Sequence, residues 1–326
     1  MKIGKIEFDS FPVLLAPMED VTDPSFRVLC KEHGVDLMYT EFVNADGLIR
    51  GAKKGFKKIE IFDYERPIGI QIYGNEIEPV VAAAKIVERY QPDLIDLNFG
   101  CPVKKIANRG AGSGMMKDVP KFIEMTRKVV QAVNIPVTVK TRLGWDDKSK
   151  NIVEIAEKLQ DTGIQALTIH GRTRAQMYKG EADWTLIGEI AQNENIGIPI
   201  IGNGDIDSPQ LAKEAFELHK VDAIMIGRAS IGRPWIFKDV KDYLQKDVLN
   251  RELTIPEKVK IIKRHLKESV DWKEERGGVL TIRRHYVQYF KGLPEFRDTK
   301  IKLLRSDSYM ENLEILDYIA EKYEDY

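Results

Sequence analysis

The chain alternates short apolar runs with amphipathic segments, and it does so eight times over roughly its first 230 residues. Each apolar run is nearly continuous, which is typical of parallel strands that are buried on both faces. The predicted strands are 11–18, 37–43, 67–74, 94–101, 136–144, 166–172, 198–205 and 223–229. Most intervening segments carry apolar residues at helical spacing. Eight such units predict an α/β fold of the (β/α)8 barrel type, a TIM barrel.

A doubly wound open sheet is the alternative arrangement of alternating strands and helices. A dinucleotide-binding sheet of that kind carries a G-x-G-x-x-G turn after its first strand, and this chain has none there. The barrel is therefore the favoured prediction for a domain over residues 1–245.

The pattern changes after residue 245, where strand-like runs stop. The segments 256–278, 281–293 and 308–323 have helical patterns and are separated by Gly277-Gly278 and by Pro294. This sequence pattern predicts a second domain over residues 246–326, a small all-helical bundle that packs on the barrel.

Charge and cysteine content exclude several classes of protein. A formal net charge of −1 gives no overall attraction to nucleic acid or membranes, so any basic surface must be local. Two cysteines without a C-x-x-C pair predict neither a disulfide framework nor a metal site. The first residues do not resemble a signal peptide, and no apolar run approaches the roughly 18 residues of a membrane span. We expect a cytoplasmic monomer with no obligate protein partner.

Polar residues gather at the carboxyl ends of the predicted strands, the face where barrels of this type carry their chemistry. The residues at these strand ends, both polar and small or apolar ones, are Pro17, Met18, Glu19, Gln71, Asn98, Cys101, Lys140, Arg142, His170, Arg172, Asn203, Gly204, Asp205, Gly227 and Arg228. Taken singly, a lysine at a strand end is usually a solvated charge, and His170 is as often structural as functional. If Lys140 points into the barrel, it needs an anionic partner. Together these residues predict a cavity for a polar, partly anionic planar group.

Glycines follow the seventh and eighth strands, in the segments GNGD (202–205) and IGRAS (226–230). This is the usual phosphate-binding position of such barrels, where backbone N–H groups meet the anion. Arg228 would add a charged contact. Ordinary turn glycines are the alternative, but two such strand ends favour a phosphorylated cofactor or substrate.

Seven motifs in order along the chain resemble those of flavin-dependent tRNA-dihydrouridine synthases. They are LAPMEDVTD, QIYG, LNFGCPVKK, VKTRLGW, LTIHGRT, IGNGD and MIGRASIGRPWIF. The chain is most similar to the B-type bacterial branch, because a basic and aromatic helix over 284–289 lies in its C-terminal part. It departs from many members at Glu19-Asp20, where Ala-Gly is usual after Pro-Met.

The resemblance implies a set of cofactor contacts and a catalytic acid. FMN would be held by Pro17, Met18, Glu19, Gln71, Lys140, His170, Asn203, Gly204, Asp205, Gly227 and Arg228. Asn98 would contact the target uracil, Cys101 would donate a proton, and NADPH would supply electrons. A thiol has the acidity for this, since it stays protonated at neutral pH yet can release its proton.

The substrate implied by the resemblance is tRNA, or another structured RNA. The candidate RNA contacts are Lys104, Arg142, Arg172, Arg174, Arg283 and Arg284, and each of them taken singly resembles an ordinary surface cation. Two other functions stay open at this stage. One is a small-molecule FMN oxidoreductase of the dihydroorotate dehydrogenase type, which would not need a basic helical domain. The other is a non-catalytic RNA-binding barrel.

Overall fold

The computed structural model describes all 326 residues, and eight parallel strands form its centre. The chain has eleven strands in all: β1 (Lys2–Ile3), β2 (Ile6–Glu7), β3 (Val13–Leu15), β4 (Met38–Tyr39), β5 (Val43–Asn44), β6 (Ile68–Tyr73), β7 (Leu94–Asn98), β8 (Val137–Arg142), β9 (Leu167–His170), β10 (Ile200–Asn203) and β11 (Ala223–Ile226). The eight central strands run in the order β3-β11-β10-β9-β8-β7-β6-β4, while β5 pairs with β6 beside this path and β1 and β2 form a separate hairpin. A parallel bridge between Leu14 and Leu37 joins the two ends and closes the barrel.

Helices surround the barrel and form the C-terminal part of the chain. They are α1 (Pro24–Glu32), α2 (Ala45–Ile49), α3 (Lys53–Lys58), α4 (Ile77–Glu88), α5 (Lys104–Ala107), α6 (Val119–Ala132), α7 (Ile152–Gln160), α8 (Thr185–Ala191), α9 (Pro209–Glu217), α10 (Ile236–Lys246), α11 (Ile255–Tyr289), α12 (Arg297–Arg305) and α13 (Tyr309–Lys322). No helix combines the length and apolar composition that crossing a lipid bilayer requires. The predicted (β/α)8 barrel with C-terminal helices is confirmed.

The barrel is sealed at its amino-terminal end and polar toward its carboxyl-terminal end. The β1–β2 hairpin, which the sequence analysis missed, inserts Ile3 among Leu14, Leu37 and Leu94. Above this apolar layer the interior carries buried polar side chains, which are Gln71, Asp96, Thr138, Thr168, His170 and Asn203. Since one end is closed by apolar packing, these groups are accessible only from the strands' carboxyl ends.

The C-terminal helices have an apolar core of their own, which also includes Trp235 from the barrel side. Within α11 the helical path breaks at Glu274, whose φ of 64° lies in the left-handed region. The predicted break at Gly277-Gly278 is therefore wrong by a few residues. Gly278 instead allows close packing, because a Cβ there would lie 2.5 Å from the carbonyl oxygen of Ser269.

Other local predictions also differ from the structure. The predicted second strand, 37–43, divides into β4 and β5, both of which pair with β6. Helix α12 was not predicted, because its apolar positions are few. Helix α9 begins after Ser208, whose side chain caps it by accepting a hydrogen bond from the Leu211 amide. The division of the chain at residues 245 and 246 stays a prediction.

Candidate active site

A cavity of about 1150 Å³ opens at the carboxyl end of the barrel, between the strand ends and the C-terminal helices. Its volume suits a cofactor together with part of a substrate. Most of the predicted site residues line it: Pro17, Met18, Glu19, Asn98, Cys101, Lys140, Arg142, His170, Asn203, Gly204, Asp205, Gly227 and Arg228. Tyr289 of α11 also contributes to the wall, so the C-terminal helices complete the cavity.

The backbone around Cys101 is held by two side chains. Asn98 Oδ1 accepts hydrogen bonds from the amides of Gly100 and Cys101, at 3.0 and 2.9 Å. The Cys101 carbonyl accepts from the hydroxyl of Ser113 at 2.7 Å. Burial raises the pKa of the Cys101 thiol, so the sulfur is protonated at neutral pH. A buried, protonated thiol on the wall of a cavity is suited to donating a proton.

Gln71 lies one layer below the cavity and is fully buried. Its Oε1 accepts a hydrogen bond of 2.8 Å from Asn98 Nδ2. Both the oxygen and the nitrogen of the Asn98 amide group are therefore hydrogen-bonded, and one N–H of Nδ2 is left for another acceptor. The roles that the resemblance gives to Gln71 and Asn98 stay predictions.

Lys140 points into the cavity and has no carboxylate within ion-pair distance. Its ammonium donates one hydrogen bond, of 2.8 Å, to Asn203 Oδ1. Burial lowers the pKa of Lys140 to about 7, and the Arg142 charge adds to this, while Asp96 acts in the opposite direction. The anion that an inward-pointing Lys140 requires is thus not supplied by the protein, which favours an acceptor from outside the chain.

The wall around Lys140 is positively charged. Burial holds the pKa of His170 well below its ordinary value, and the charges of Arg142, Lys140, Arg172 and Arg228 reinforce the shift. His170 is therefore neutral at pH 7. The guanidinium of Arg228 lies 4.8 Å from the ring centre of Tyr178 and is half-exposed at the cavity mouth. This wall is suited to a bound anion.

The strand ends at β10 and β11 offer free backbone donors. The amide N–H groups of Gly204, Asp205, Gly227 and Arg228 donate to no acceptor within the protein. Gly204 has a φ of 135°, which its lack of a side chain permits. Four free amides beside an arginine fit a phosphate group, and the phosphate site that the sequence indicates at these two strand ends stays a prediction.

Arg172 occupies a different environment from the one predicted. It is 2% exposed, and it donates to both oxygens of Asp205, at 2.9 and 2.6 Å. Its prediction as an RNA contact is wrong, because a buried guanidinium with these partners has no surface for a phosphate. Arg172 instead fixes Asp205 at the end of β10, and Asp205 in turn contacts Arg228 at 2.9 Å.

The other predicted RNA contacts fall into three groups. Arg283 is bonded within the C-terminal helices, to Asp307 and to the Ser306 carbonyl at 2.9 Å, and its role as an RNA contact stays a prediction. Arg284 contacts Asp20 at 3.5 Å, across to the barrel. Arg142, Arg174 and Lys104 stay predictions: Arg142 is buried and lines the cavity, Arg174 covers the Trp145 ring, and Lys104 is exposed on α5.

Glu19 is tied to the rim of the cavity by a charged cluster. Its carboxylate pairs with Lys58, which also contacts Glu41 at 3.2 Å. Glu41 accepts a hydrogen bond of 2.6 Å from the Asp20 amide. This cluster accounts structurally for the departure from Ala-Gly, because the two acidic residues join α3 and α11 to the first strand end.

Sequence reasoning missed several residues of the site. Tyr178 lies over Arg142 and Arg228, Trp145 lies between Lys117 and Arg174, and Ser113 supports the Cys101 backbone. Tyr178 and Trp145 lie in loops that follow strands, and Ser113 lies in a short 3-10 helix over Gly112–Lys117, so no periodicity marks these side chains. For Trp145, its place directly after the predicted fifth strand was the available signal.

The chain is similar to proteins of one family along most of its length. The dihydrouridine synthase (Dus) family profile matches residues 14–322. A probable tRNA-dihydrouridine synthase of Rickettsia conorii is 39% identical over 301 residues, covering 91% of this chain and 90% of that protein. The tRNA-dihydrouridine synthase B of Pseudomonas aeruginosa is 37% identical over 311 residues, covering 95% of this chain and 93% of that protein.

Solved structures share the barrel at low sequence identity. Histamine dehydrogenase from a Rhizobium species superposes with a TM-score of 0.57 at 16% identity, covering 82% of this chain and 50% of that chain. A morphinone reductase variant in complex with tetrahydroNAD gives a TM-score of 0.54 at 13% identity, covering 77% of this chain and 91% of that chain. These likenesses support the fold. Since the profile and the relatives cover nearly the whole sequence, as its motifs predicted, the chain belongs to the dihydrouridine synthase family.

Proposed function

We propose that this protein is an FMN-dependent tRNA-dihydrouridine synthase that takes electrons from NADPH. The observation that carries the proposal is the pairing, in one cavity, of a protonated thiol at Cys101 with a buried cation at Lys140 that has no protein anion. The first is suited to donating a proton, and the second to holding an electron-rich ring. Family membership supplies the reaction class.

The residues of the cavity fit FMN. The free amides of Gly204, Asp205, Gly227 and Arg228, with the Arg228 guanidinium, would hold its phosphate. Lys140 and neutral His170 would hold the ring system, where a fixed positive charge is matched to negative charge. When bound, FMN supplies the hydride that is added at C6 of the uracil ring.

The chain's own residues complete the reduction of the C5=C6 bond. Addition at C6 moves charge toward C5 and the O4 carbonyl, so C5 must receive a proton. The Cys101 thiol would donate that proton, and the raised pKa keeps the thiol in its acid form. The free N–H of Asn98 Nδ2 is available to a uracil carbonyl.

The RNA substrate must present its uridine out of the base stack, because the cavity lies at the bottom of the barrel mouth. Rim cations would bind the flanking phosphates, among them Lys104 of α5. A small-molecule reductase would not need C-terminal helices in the cavity wall, and their presence there favours a large substrate.

The direct test measures both cofactor and product. We expect heat-denatured protein to release FMN, identified by chromatography against FAD and riboflavin standards. Incubation with unmodified tRNA and NADPH should then yield nucleosides heavier than uridine by two hydrogens in mass spectrometry. Release of FAD would refute the cofactor, and unmodified RNA in the presence of reduced flavin would refute the substrate.

FMN affinity should fall as the pH rises through about 7. The pKa of Lys140 is lowered to about 7 in the protein, so the ammonium that attracts an anion is lost above that pH. Lys140→Met should remove this component of the pH dependence. Titrations of the flavin-free protein with FMN at pH 6 to 9 give the affinity of each protein, and the difference between wild type and variant measures the Lys140 component. Identical pH profiles for the two proteins would contradict a role for the Lys140 charge.

Replacing Lys104 and Lys105 together by Ala should lower the salt dependence of tRNA binding. Both are exposed on α5, directly after the Cys101 segment, and neither is in an ion pair. Each lost phosphate contact reduces the slope of log K against log salt by about one unit. The matched control replaces Lys2 and Lys5 in the β1–β2 hairpin, at the opposite end of the barrel. Equal slopes in both double variants would exclude α5 from the RNA surface.

A further inference from the structure

Three buried polar side chains lie side by side within the barrel, directly beneath the cavity. The strand register pairs Gln71 with Asp96 and Asp96 with Thr138, across β6, β7 and β8. All three are at most 1% exposed, and none lines the cavity. The proposed reaction uses neither Asp96 nor Thr138, so their burial in an otherwise costly environment calls for another role.

Both oxygens of the Asp96 carboxylate are occupied. Oδ1 accepts a hydrogen bond of 2.5 Å from the Thr138 hydroxyl, and Oδ2 accepts one of 2.6 Å from Gln71 Nε2. A carboxylate only accepts hydrogen bonds, so Gln71 must present its amide nitrogen to Asp96. The Gln71 oxygen is thereby turned the other way, toward Asn98.

The orientation of Gln71 determines that of Asn98. Asn98 Nδ2 donates to Gln71 Oε1 at 2.8 Å, so the Asn98 oxygen faces the chain that follows β7. There the Asn98 oxygen accepts hydrogen bonds from the backbone amides of Gly100 and Cys101, at 3.0 and 2.9 Å. Reversing either amide group would place donor against donor and leave buried polar atoms unpaired, so the network has one arrangement.

We propose that Asp96, anchored by Thr138, is a positioning residue that sets the Cys101 segment through Gln71 and Asn98. The four side chains form one continuous path from the barrel interior to the thiol's backbone. The consequence for proton donation rests on the proposed function, whereas the positioning is a property of the folded chain by itself.

The sharpest test compares two isosteric substitutions, Thr138→Val and Thr168→Val. Thr168 is also a threonine of the barrel interior, 1% exposed on β9, and its hydroxyl has no hydrogen-bond partner. Both variants lose one buried hydroxyl, but only Thr138→Val loses one that belongs to the network. The first readout is the rate at which iodoacetamide alkylates Cys101 in the purified protein, followed by peptide mass analysis. Cys30 is fully buried and does not compete.

We expect Thr138→Val to raise the alkylation rate of Cys101 by about 3- to 10-fold, because a fixed backbone around a thiol becomes mobile when its support is weakened. Thr168→Val should match the wild type. Asp96→Ala should exceed Thr138→Val, and Asp96→Asn should stay within about 3-fold of wild type, because Asn can accept from Gln71 and donate to Thr138. If Asp96→Ala does not fold, the pair of valine variants carries the test alone.

A second readout is the single-turnover rate of uridine reduction. Asp96→Ala should lose about 100-fold relative to Asp96→Asn, the size of effect that a misplacement near 1 Å produces. Equal alkylation rates in Thr138→Val and Thr168→Val would overturn the positioning role. If the two valine variants differ in alkylation rate but the wild-type protein reduces no uridine in RNA, the positioning role is supported and the proposed function is refuted. The failure of one proposal can therefore be distinguished from the failure of the other.

Discussion

Replacing Cys101 by Ala should lower dihydrouridine formation by about 10²- to 10⁴-fold, the contribution typical of a general acid. The thiol is 7% exposed and lines the cavity, and burial raises its pKa so that it holds its proton at neutral pH. In the proposed reaction, NADPH reduces the bound flavin before uracil receives its proton, so flavin reduction should persist in this variant. Stopped-flow absorbance of the flavin and single-turnover assays on unmodified tRNA measure the two steps separately.

The matched control for this variant is Cys30→Ala, which removes the other thiol of the chain. Cys30 lies on α1 within the barrel's apolar core and is fully buried. Its replacement should cost some stability through the lost packing and should leave the rate of uridine reduction unchanged. If Cys101→Ala reduces uridine at the wild-type rate, Cys101 is a packing residue and the acid is another group.

The barrel itself was predictable because its signal is repetitive. Each strand is buried on both faces, so each appears as a continuous apolar run, and eight runs with helical segments between them leave few alternatives. The β1–β2 hairpin escaped prediction because two strands of two residues carry no periodicity. The break in α11 was misplaced because Glu274, a good helix former, adopts a left-handed conformation that sequence preferences do not indicate.

The site was predictable as a set of strand ends, but the partners of each side chain were not. Lys140 lies near the end of β8 and Arg172 just after β9, yet Lys140 faces the cavity without an anion and Arg172 is buried against Asp205. The difference arises from the loop over 179–182, whose carbonyls and amides surround the Arg172–Asp205 pair. Such loop contacts join positions far apart in sequence and have no spacing that a single chain displays.

Arg283, in the C-terminal helices, is a second case in which the partner of a side chain could not be predicted from the sequence. In sequence it is one of two adjacent arginines on a basic helix, and both were predicted to contact RNA. In the structure Arg283 turns toward Asp307 while Arg284 turns toward Asp20 of the barrel. Adjacent helical residues point about 100° apart, so neighbours in a basic run rarely share a surface. A cation is free to bind a phosphate where its neighbours in space carry no carboxylate.

Replacing Asp205 by Ala should destabilise the fold by about 3 kcal/mol, the lower part of the range for breaking a buried ion pair, since Asp205 is partly exposed. The cost arises because the Arg172 guanidinium would stay buried without a carboxylate to compensate its charge. Burial acts to raise the pKa of Asp205, but hydrogen bonds from Arg172 and Ala182 outweigh it and hold that pKa below its ordinary value. The stability that the ionised Asp205 contributes is therefore present above about pH 4 and is lost as the pH falls further. Asp205→Asn is the control, because Asn tolerates the residue's φ of 54° and keeps one acceptor. Urea unfolding at pH 7 measures the loss, and flavin content shows whether the phosphate position survives; equal stability of Asp205→Ala and wild type would mean that the Arg172 charge is compensated without Asp205.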